Sequence, residues 1–287
     1  MSIQARSETV AGNDDGHRFE LLARTPDSPR TALLWLPALG VSAKHYLPFA
    51  DALAERGVAV FLHEWRGNGS SNLRPSRKAD WGYRELLADI AASRAAIAAA
   101  LPGTTSHTLG GHSLGGQLAC CHAALTKQTM PCEALWLVAS GTPYWKWFAA
   151  PRRFGLPLAY RFLPWLARVN GTLPGRRIGF GGTEARSVIR DWARVGLSDR
   201  YRAEGLDADI ESALHGLRLP VHGITLAHDW LAPDASLRGL VARMQPAPAR
   251  LTHMDAASLG TQADHFAWMR KPNRVAEILT DTSPPAA

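Results

Sequence analysis

An α/β fold, with a mostly parallel sheet flanked by helices and an inserted helical cap, is what this sequence predicts from three observations. Short apolar, β-rich runs alternate with longer helical patterns, first through residues 17–142 and again from about 219. Several of those runs are apolar almost without a break, as strands buried on both faces are. Between the two regions, residues 143–215 lose the rhythm and fill with tryptophan, proline and arginine. That stretch is too long for a connecting loop and too aromatic for disorder. The expected organisation is therefore a core of residues 1–142 and 216–287, with 143–215 inserted as a cap over the C-terminal edge of the sheet.

The elements follow in order. "HRFELLART" (17–25) has rough strand alternation, and "TALLWLP" (31–37) has the pattern of a central strand. "AKHYLPFADALAERG" reads as a helix ending at Gly57, and "VAVFLHEW" (58–65) as the next buried strand. Residues 80–101 form a long helical pattern, with Asp80 as the expected cap and Pro102 as the stop. "SHTLGGHS" brings a strand into a turn at Ser113, and "LGGQLACCHAALTK" continues as a helix. After "EALWLVASG" (133–141) and the irregular stretch come a strand at 219–229 and a helix around 234–244. A short strand at 248–254, a helix after His265 and a frayed tail, "TSPPAA", complete the chain.

Bulk properties narrow the function classes. The composition, 46% hydrophobic and 20% charged, is that of an ordinary globular protein. The polar N-terminus lacks the apolar stretch of a secretory signal, and no run reaches the roughly 18 apolar residues of a membrane span. Three cysteines, Cys120, Cys121 and Cys132, are too few for a disulfide framework, so a cytoplasmic location is expected. No pair has zinc-ligand spacing, and neither a metal nor a cofactor is expected. The net charge of +7 comes mostly from arginines spread along the chain rather than from a basic run. Neither nucleic acid nor a membrane is the expected partner.

The chemistry centres on "LGGHSLGGQLACC", residues 109–121. With 25 Gly in 287 residues, Gly-x-Ser-x-Gly arises by chance in roughly one such chain in ten, so the motif alone decides little. Context sharpens it, because strand, tight turn and helix occur in the order a nucleophile elbow needs. Small flanking residues (Gly111, Gly115, Gly116) let a strained turn pass close to its own chain. The Leu114 N–H would then stand at a helix start, aimed at a developing oxyanion.

A serine nucleophile needs a base and an acid, which in this architecture follow it in the chain as Asp or Glu, then His. His265, between the last strand and last helix, is the candidate base; His253 reads as part of a strand, and His112 would point away from its neighbour Ser113. Asp229, at the end of the strand "VHGITLA", is favoured as the acid over Asp234, which has a ready role in the first turn of a helix. A second oxyanion donor is expected in "PALG", at Leu39 or one position from it. "HEWRGNGSSN" (63–72) lacks the ending of a phosphate loop and reads as a structural loop lining the site.

These stretches together, "LPALG", "EWRGNGSS", "GGHSLGGQ", "LAHDWLAP" and "ADHFAWMR", resemble the α/β-hydrolase superfamily over nearly the whole chain. More narrowly, "PALGVSAKHYLPFADALAERG", "DWGYREL" and "GTPYW" are similar to a bacterial group of predicted α/β hydrolases of unassigned substrate. "GTLPGRRIGFGGTEA" looks like that group's cap. The resemblance implies a Ser113–Asp229–His265 triad with Leu39 and Leu114 as oxyanion donors. Two positions depart from the pattern. Glu64 stands where relatives usually have Asp. Asp264 stands where the group tends to have Gly, and its carboxylate would either raise the pKa of His265 or face solvent.

The expected activity is that of a serine hydrolase cleaving a carboxylic ester through an acyl-enzyme. A thioesterase with the same triad and a non-catalytic binding protein on the same scaffold are the alternatives. Aromatics of the inserted stretch, with Trp145 and Trp147 as candidate substrate contacts, would receive an apolar acyl or aromatic group, or would form the cap's own core. The interleaved arginines would suit an anionic carrier such as coenzyme A.

Overall fold

The computed structural model describes residues 2–12, 15–101, 105–245 and 248–281. Its main sheet has eight strands: β1 (Ile3–Ala11), β2 (Arg18–Pro26), β3 (Thr31–Leu36), β4 (Val58–Leu62), β5 (Ser106–His112), β6 (Ala134–Val138), β9 (Val221–Leu226) and β10 (Ala249–Met254). Their order in space is β1-β2-β4-β3-β5-β6-β9-β10. The pairings from β4 to β10 are parallel, and β2 is antiparallel to both its neighbours. This is the α/β architecture the alternation predicts.

Helices α1 (Leu47–Ala54), α2 (Tyr83–Ala100) and α3 (Leu114–Leu125) connect the first half of the sheet. The crossover from β6 to β9 carries α4 (Arg152–Asn170), β7 (Thr172–Pro174), α5 (Gly175–Ile178), β8 (Thr183–Ala185), α6 (Arg186–Ser198) and α7 (Ile210–His215). Helices α8 (Asp234–Val241), α9 (Ala256–Leu259) and α10 (Asn273–Thr280) complete the chain. The period of two in β3 shows how both faces are filled. Leu33 and Trp35 pack with Phe49 and Leu53 of α1 and Val275 of α10, whereas Leu34 and Leu36 belong to the core with Ile90 of α2 and Leu118 of α3. That two-sided burial is why the run is apolar without a break.

Several expectations need correction. β1 was not expected from its polar sequence; it is an edge strand whose side chains are mostly in water, with Val10 alone buried. The helix expected after Gly40 is split into a 3-10 turn (Ala43–Tyr46) and α1, with Pro48 in the first turn of α1. Asp80 does not cap α2, which starts at Gly82 with the Glu85 carboxylate accepting from the Gly82 N–H at 2.7 Å. Asp80 instead accepts from the Ser187 N–H (3.1 Å) and hydroxyl (2.8 Å), at the start of α6. α7, expected within the insertion, packs on α3 of the core. Pro102 and the expected tail, 282–287, lie outside the described residues.

The topology positions the site. From β3 the chain moves outward to β4, then crosses back over β3 to β5. Loops leaving the C-terminal ends of β3 and β5 therefore diverge at a topological switch point, where open parallel sheets form their ligand crevice. The 37–42 loop and the Ser113 turn are those two loops.

Candidate active site

Ser113 stands between β5 and α3 with φ 55° and ψ −120°, a conformation that costs a non-glycine residue roughly 1–3 kcal/mol. Surrounding bonds hold it there: its N–H donates to Val138 O at 3.3 Å, and its carbonyl accepts from the Ser140 hydroxyl at 2.7 Å. Flanking glycines are required by contact rather than by turn conformation. A Cβ on Gly111 would lie 2.5 Å from Gly116 N, and one on Gly115 would lie 2.6 Å from Pro37 O while overlapping the Leu36 carbonyl. The first turn of α3 thus rests directly on the end of β3 and the loop that follows it. Neither the Leu39 nor the Leu114 N–H donates to an acceptor among the described residues. Ala38 N–H is taken, donating to the Tyr46 hydroxyl at 2.9 Å.

Asp229 follows β9 and is buried. Its Oδ1 accepts from the N–H groups of Leu231 (2.9 Å) and Ala232 (3.1 Å), which leaves Oδ2 for His265 Nδ1 at 2.7 Å. The two loops are also joined through the backbone, His228 N–H donating to Ala263 O at 2.8 Å. Asp234 is elsewhere, in the first turn of α8, paired with Arg238 at 2.6 Å on the surface. His253, exposed on β10, bonds Thr225 and stays away from the cavity. Asp264 does not reach the imidazole of His265. Its Oδ1 accepts from the Phe266 and Ala267 N–H groups and caps the turn that carries His265.

His112 does point away from the cavity and is fully buried. The hydroxyl of Tyr46, an acceptor from Ala38 N–H, also bonds His112 Nδ1 at 2.8 Å. Burial, reinforced by neighbouring His265, holds the His112 pKa well below the ordinary value, so the ring is neutral. It packs against the His265 ring, 4.7 Å between centroids, and against Trp268, which is buried between Trp35 and Phe49. His265 is thereby supported from beneath by an uncharged aromatic stack.

Ser113 and His265 both open on one cavity of about 360 Å³, without a direct hydrogen bond between Oγ and Nε2. Leu39 and Leu114 line its floor, and α4, α6 and the 178–181 loop roof it. Among the described residues no Asp, Glu, Lys or Arg lines it. A second, wider depression shares His265, Phe266 and Trp230 with the first and carries His45, His228 and Arg270.

The expected substrate contacts, Trp145 and Trp147, do not line the cavity. They sit on a 3-10 turn; Trp147 lies against Gly239 of α8 and is 39% exposed. The aromatics that do face the cavity are Phe148, Tyr160, Phe162, Phe180 and Trp192 from the insertion, with Trp230 and Phe266 from the core. A further apolar set does neither. Phe154, Leu158, Trp165 and Val169, spaced four, seven and four apart, form one outward stripe on α4, which the half-exposed cavity residue Phe162 adjoins. None of the insertion's arginines lines the cavity.

The "HEWRGNGSSN" loop does not line the cavity either; it braces what does. Trp65 Nε1 donates to Pro37 O (2.8 Å), and Glu64 Oε1 accepts from Ala43 N–H (3.1 Å), at the two ends of the 37–42 loop. Burial raises the Glu64 carboxyl to about 7, partly offset by its hydrogen bonds and by Arg74 and Lys44. Glu184 of β8, whose Oε1 accepts from Gly182 N–H at 2.6 Å, is likewise raised by burial to about 7. It faces the same loop from the cap side, beside Gly40. Sequence reasoning missed Tyr46, Glu184 and Gln117 as neighbours of the site. Only Gln117, four residues after Ser113 on a predicted helix, had a readable signal.

The family model described as serine aminopeptidase, S33, matches residues 27–199. A comparison with curated protein sequences gives no match. Among solved structures, the fold is similar to that of DcsB, solved with its substrate analogue (TM-score 0.65, 17% identity, 97% of each chain covered). It is also similar to a thermophilic esterase from Thermogutta terrifontis with malate bound (0.61, 16%, 96% of each chain). A third is the thioesterase domain from the curacin biosynthetic pathway (0.59, 17%, covering 98% of this chain and 100% of that one). At these identities the likeness is one of fold. Among the described residues no helix is long and apolar enough to cross a membrane.

Proposed function

This chain belongs to the serine aminopeptidase S33 family of α/β hydrolases, and from that premise we propose that it is a serine hydrolase cleaving carboxylic esters of apolar acyl groups. The observation that carries the reading is the division of labour at Asp229. One carboxylate oxygen is pinned by two backbone N–H groups, and the other receives His265 Nδ1–H at 2.7 Å, on the wall of the cavity that Ser113 enters. A carboxylate held in this way fixes the imidazole tautomer and leaves Nε2 as the base.

In the proposed reaction Ser113 Oγ attacks the ester carbonyl and His265 Nε2 takes its proton. The oxyanion accepts hydrogen bonds from the Leu39 and Leu114 N–H groups. Collapse expels the alcohol, which leaves with the proton from His265 and forms acyl-Ser113. Water, deprotonated by His265, then releases the carboxylic acid. The apolar cavity beneath α4 and α6 suits the acyl group, and the depression with His45 and Arg270 suits the leaving group. With the lining arginines absent, the coenzyme A expectation has no support from the cavity wall.

Labelling with a fluorophosphonate tests the nucleophile: wild type should label and Ser113→Ala should not. Labelling that survives the substitution sinks the assignment. A panel of p-nitrophenyl esters and matched thioesters of rising acyl length then separates an esterase from a thioesterase.

A further inference from the structure

We propose that Gln117 presents its amide N–H groups to the acyl cavity and selects acyl chains bearing a carbonyl or hydroxyl oxygen at their third or fourth carbon. The proposal rests on the serine-hydrolase reading of the same site and adds the chemical class of its substrate. Gln117 lines the cavity yet is only 5% exposed. Its Oε1 accepts from the Tyr201 hydroxyl at 3.1 Å, and Nε2 has no partner among the described residues. The Tyr201 hydroxyl, which also lies beside the Thr142 hydroxyl, donates to Gln117 Oε1, and a flipped amide would give up that bond. Nε2 therefore faces the cavity.

Tyr201 is in turn held rigidly. Its N–H donates to Glu211 Oε1 at 2.6 Å, and Arg243 bonds both Glu211 oxygens (2.9 and 3.0 Å) while its guanidinium lies 5.5 Å from the centre of the Tyr201 ring. This buried charged cluster has no part in the proposed acyl transfer, and fixing Gln117 gives it one. Reach follows from helix geometry. Residues four apart on a helix have Cβ atoms about 5–6 Å apart, and a long side chain leans toward the helix N-terminus. The Gln117 amide thus leans back toward Ser113, a few bonds along a chain whose first carbon is at Ser113 Oγ. A donor with no protein partner in an apolar cavity discriminates for substrates that bring it an acceptor.

The test compares p-nitrophenyl 4-oxohexanoate with p-nitrophenyl hexanoate in wild type, Gln117→Leu and Tyr201→Phe. The ratio of their kcat/KM values cancels differences shared by both esters. Wild type should favour the oxo ester about tenfold more than Gln117→Leu does, and Tyr201→Phe, which frees the amide to flip, should fall between them. A ratio in Gln117→Leu within twofold of wild type overturns the proposal. Should that variant not fold, the Tyr201→Phe ratio decides, and no fall there overturns it. A second readout needs no turnover: Ser113→Ala should bind methyl 4-oxohexanoate about tenfold more tightly than methyl hexanoate by calorimetry, and equal affinity overturns the proposal. Labelling of Ser113 with an unchanged ester ratio defeats only this inference. Loss of labelling and of all ester turnover defeats the hydrolase reading beneath it.

Discussion

Gly115→Ala is the smallest change that tests how the proposed oxyanion donors, Leu39 and Leu114 N–H, are placed. The added methyl would overlap the Leu36 carbonyl and lie 2.6 Å from Pro37 O, where ordinary contact begins at 3.4 Å. The first turn of α3 must therefore retreat from the end of β3 by at least about 0.8 Å, and it carries the Leu114 N–H and Ser113 with it. A misplacement of about 1 Å at a reacting centre costs up to about 10²-fold in rate. Two terms set the stability. Overpacking destabilises by about 1–3 kcal/mol, and alanine in place of a helical glycine returns up to about 1 kcal/mol. A net loss of about 1–2 kcal/mol lowers Tm by about 2–6 °C and leaves the protein folded at 25 °C. A lost rate then reports geometry, not unfolding. Gly155→Ala on α4, where an added Cβ meets nothing within 4 Å, is the matched control and should leave kcat unchanged with Tm equal or higher. Ester hydrolysis at saturating substrate together with a thermal melt gives both quantities. Should Gly115→Ala keep kcat within threefold of wild type, the close approach of α3 to β3 is not what positions the donors.

Asp229→Asn should lower kcat by about 10³–10⁴-fold, by losing the tautomer control of His265, while Asp234→Asn stays within twofold; comparable effects from the two would reverse the assignment of the acid. Phe162→Ala or Trp192→Ala should raise KM for long-chain esters, while Trp147→Ala, away from the cavity, leaves KM unchanged in the same assay. Glu184, raised to about 7 in the folded protein from 4.5, binds its proton more tightly folded than unfolded. Its contribution to stability is complete below about pH 4.5 and is lost as pH rises through 7. Glu184→Gln, which cannot ionise, should narrow the difference in Tm between pH 5 and pH 8, and an unchanged difference would refute the raised pKa.

How much was legible depends on whether a residue's environment is set by its own segment. β3, β4 and β6 could be read because burial on both faces leaves only apolar residues in the runs after Thr31. β1 could not: with eight of its nine side chains outside the core, nothing in its sequence alternates, and only pairing with β2 makes it a strand. Asp80 had the residue type and the position of a helix cap, yet its carboxylate is used by Ser187, more than a hundred residues along the chain. Local reasoning assigned the right chemistry to it and the wrong partner.

The same distinction runs through the site. Ser113 and Asp229 were legible because each stands just past the end of a strand, β5 and β9, and His265 because it falls between the last strand and the last helix; the 2.7 Å pairing of Asp229 with His265 follows from two adjacent parallel strands, β9 and β10, delivering neighbouring loops. The acyl cavity has no such local anchor. In α4 apolar side chains point both inward, as Leu156, Tyr160 and Leu163 do, and outward, as Phe154, Leu158 and Trp165 do. Its sequence therefore shows no single stripe from which an inner face could be read. Trp145 and Trp147 fail for a related reason, since a 3-10 turn of three residues has no periodicity to aim a side chain. Gln117 lies between these cases. Its spacing from Ser113 placed it on the same face of α3, but the partner of its Oε1, Tyr201, comes from a loop 84 residues further on.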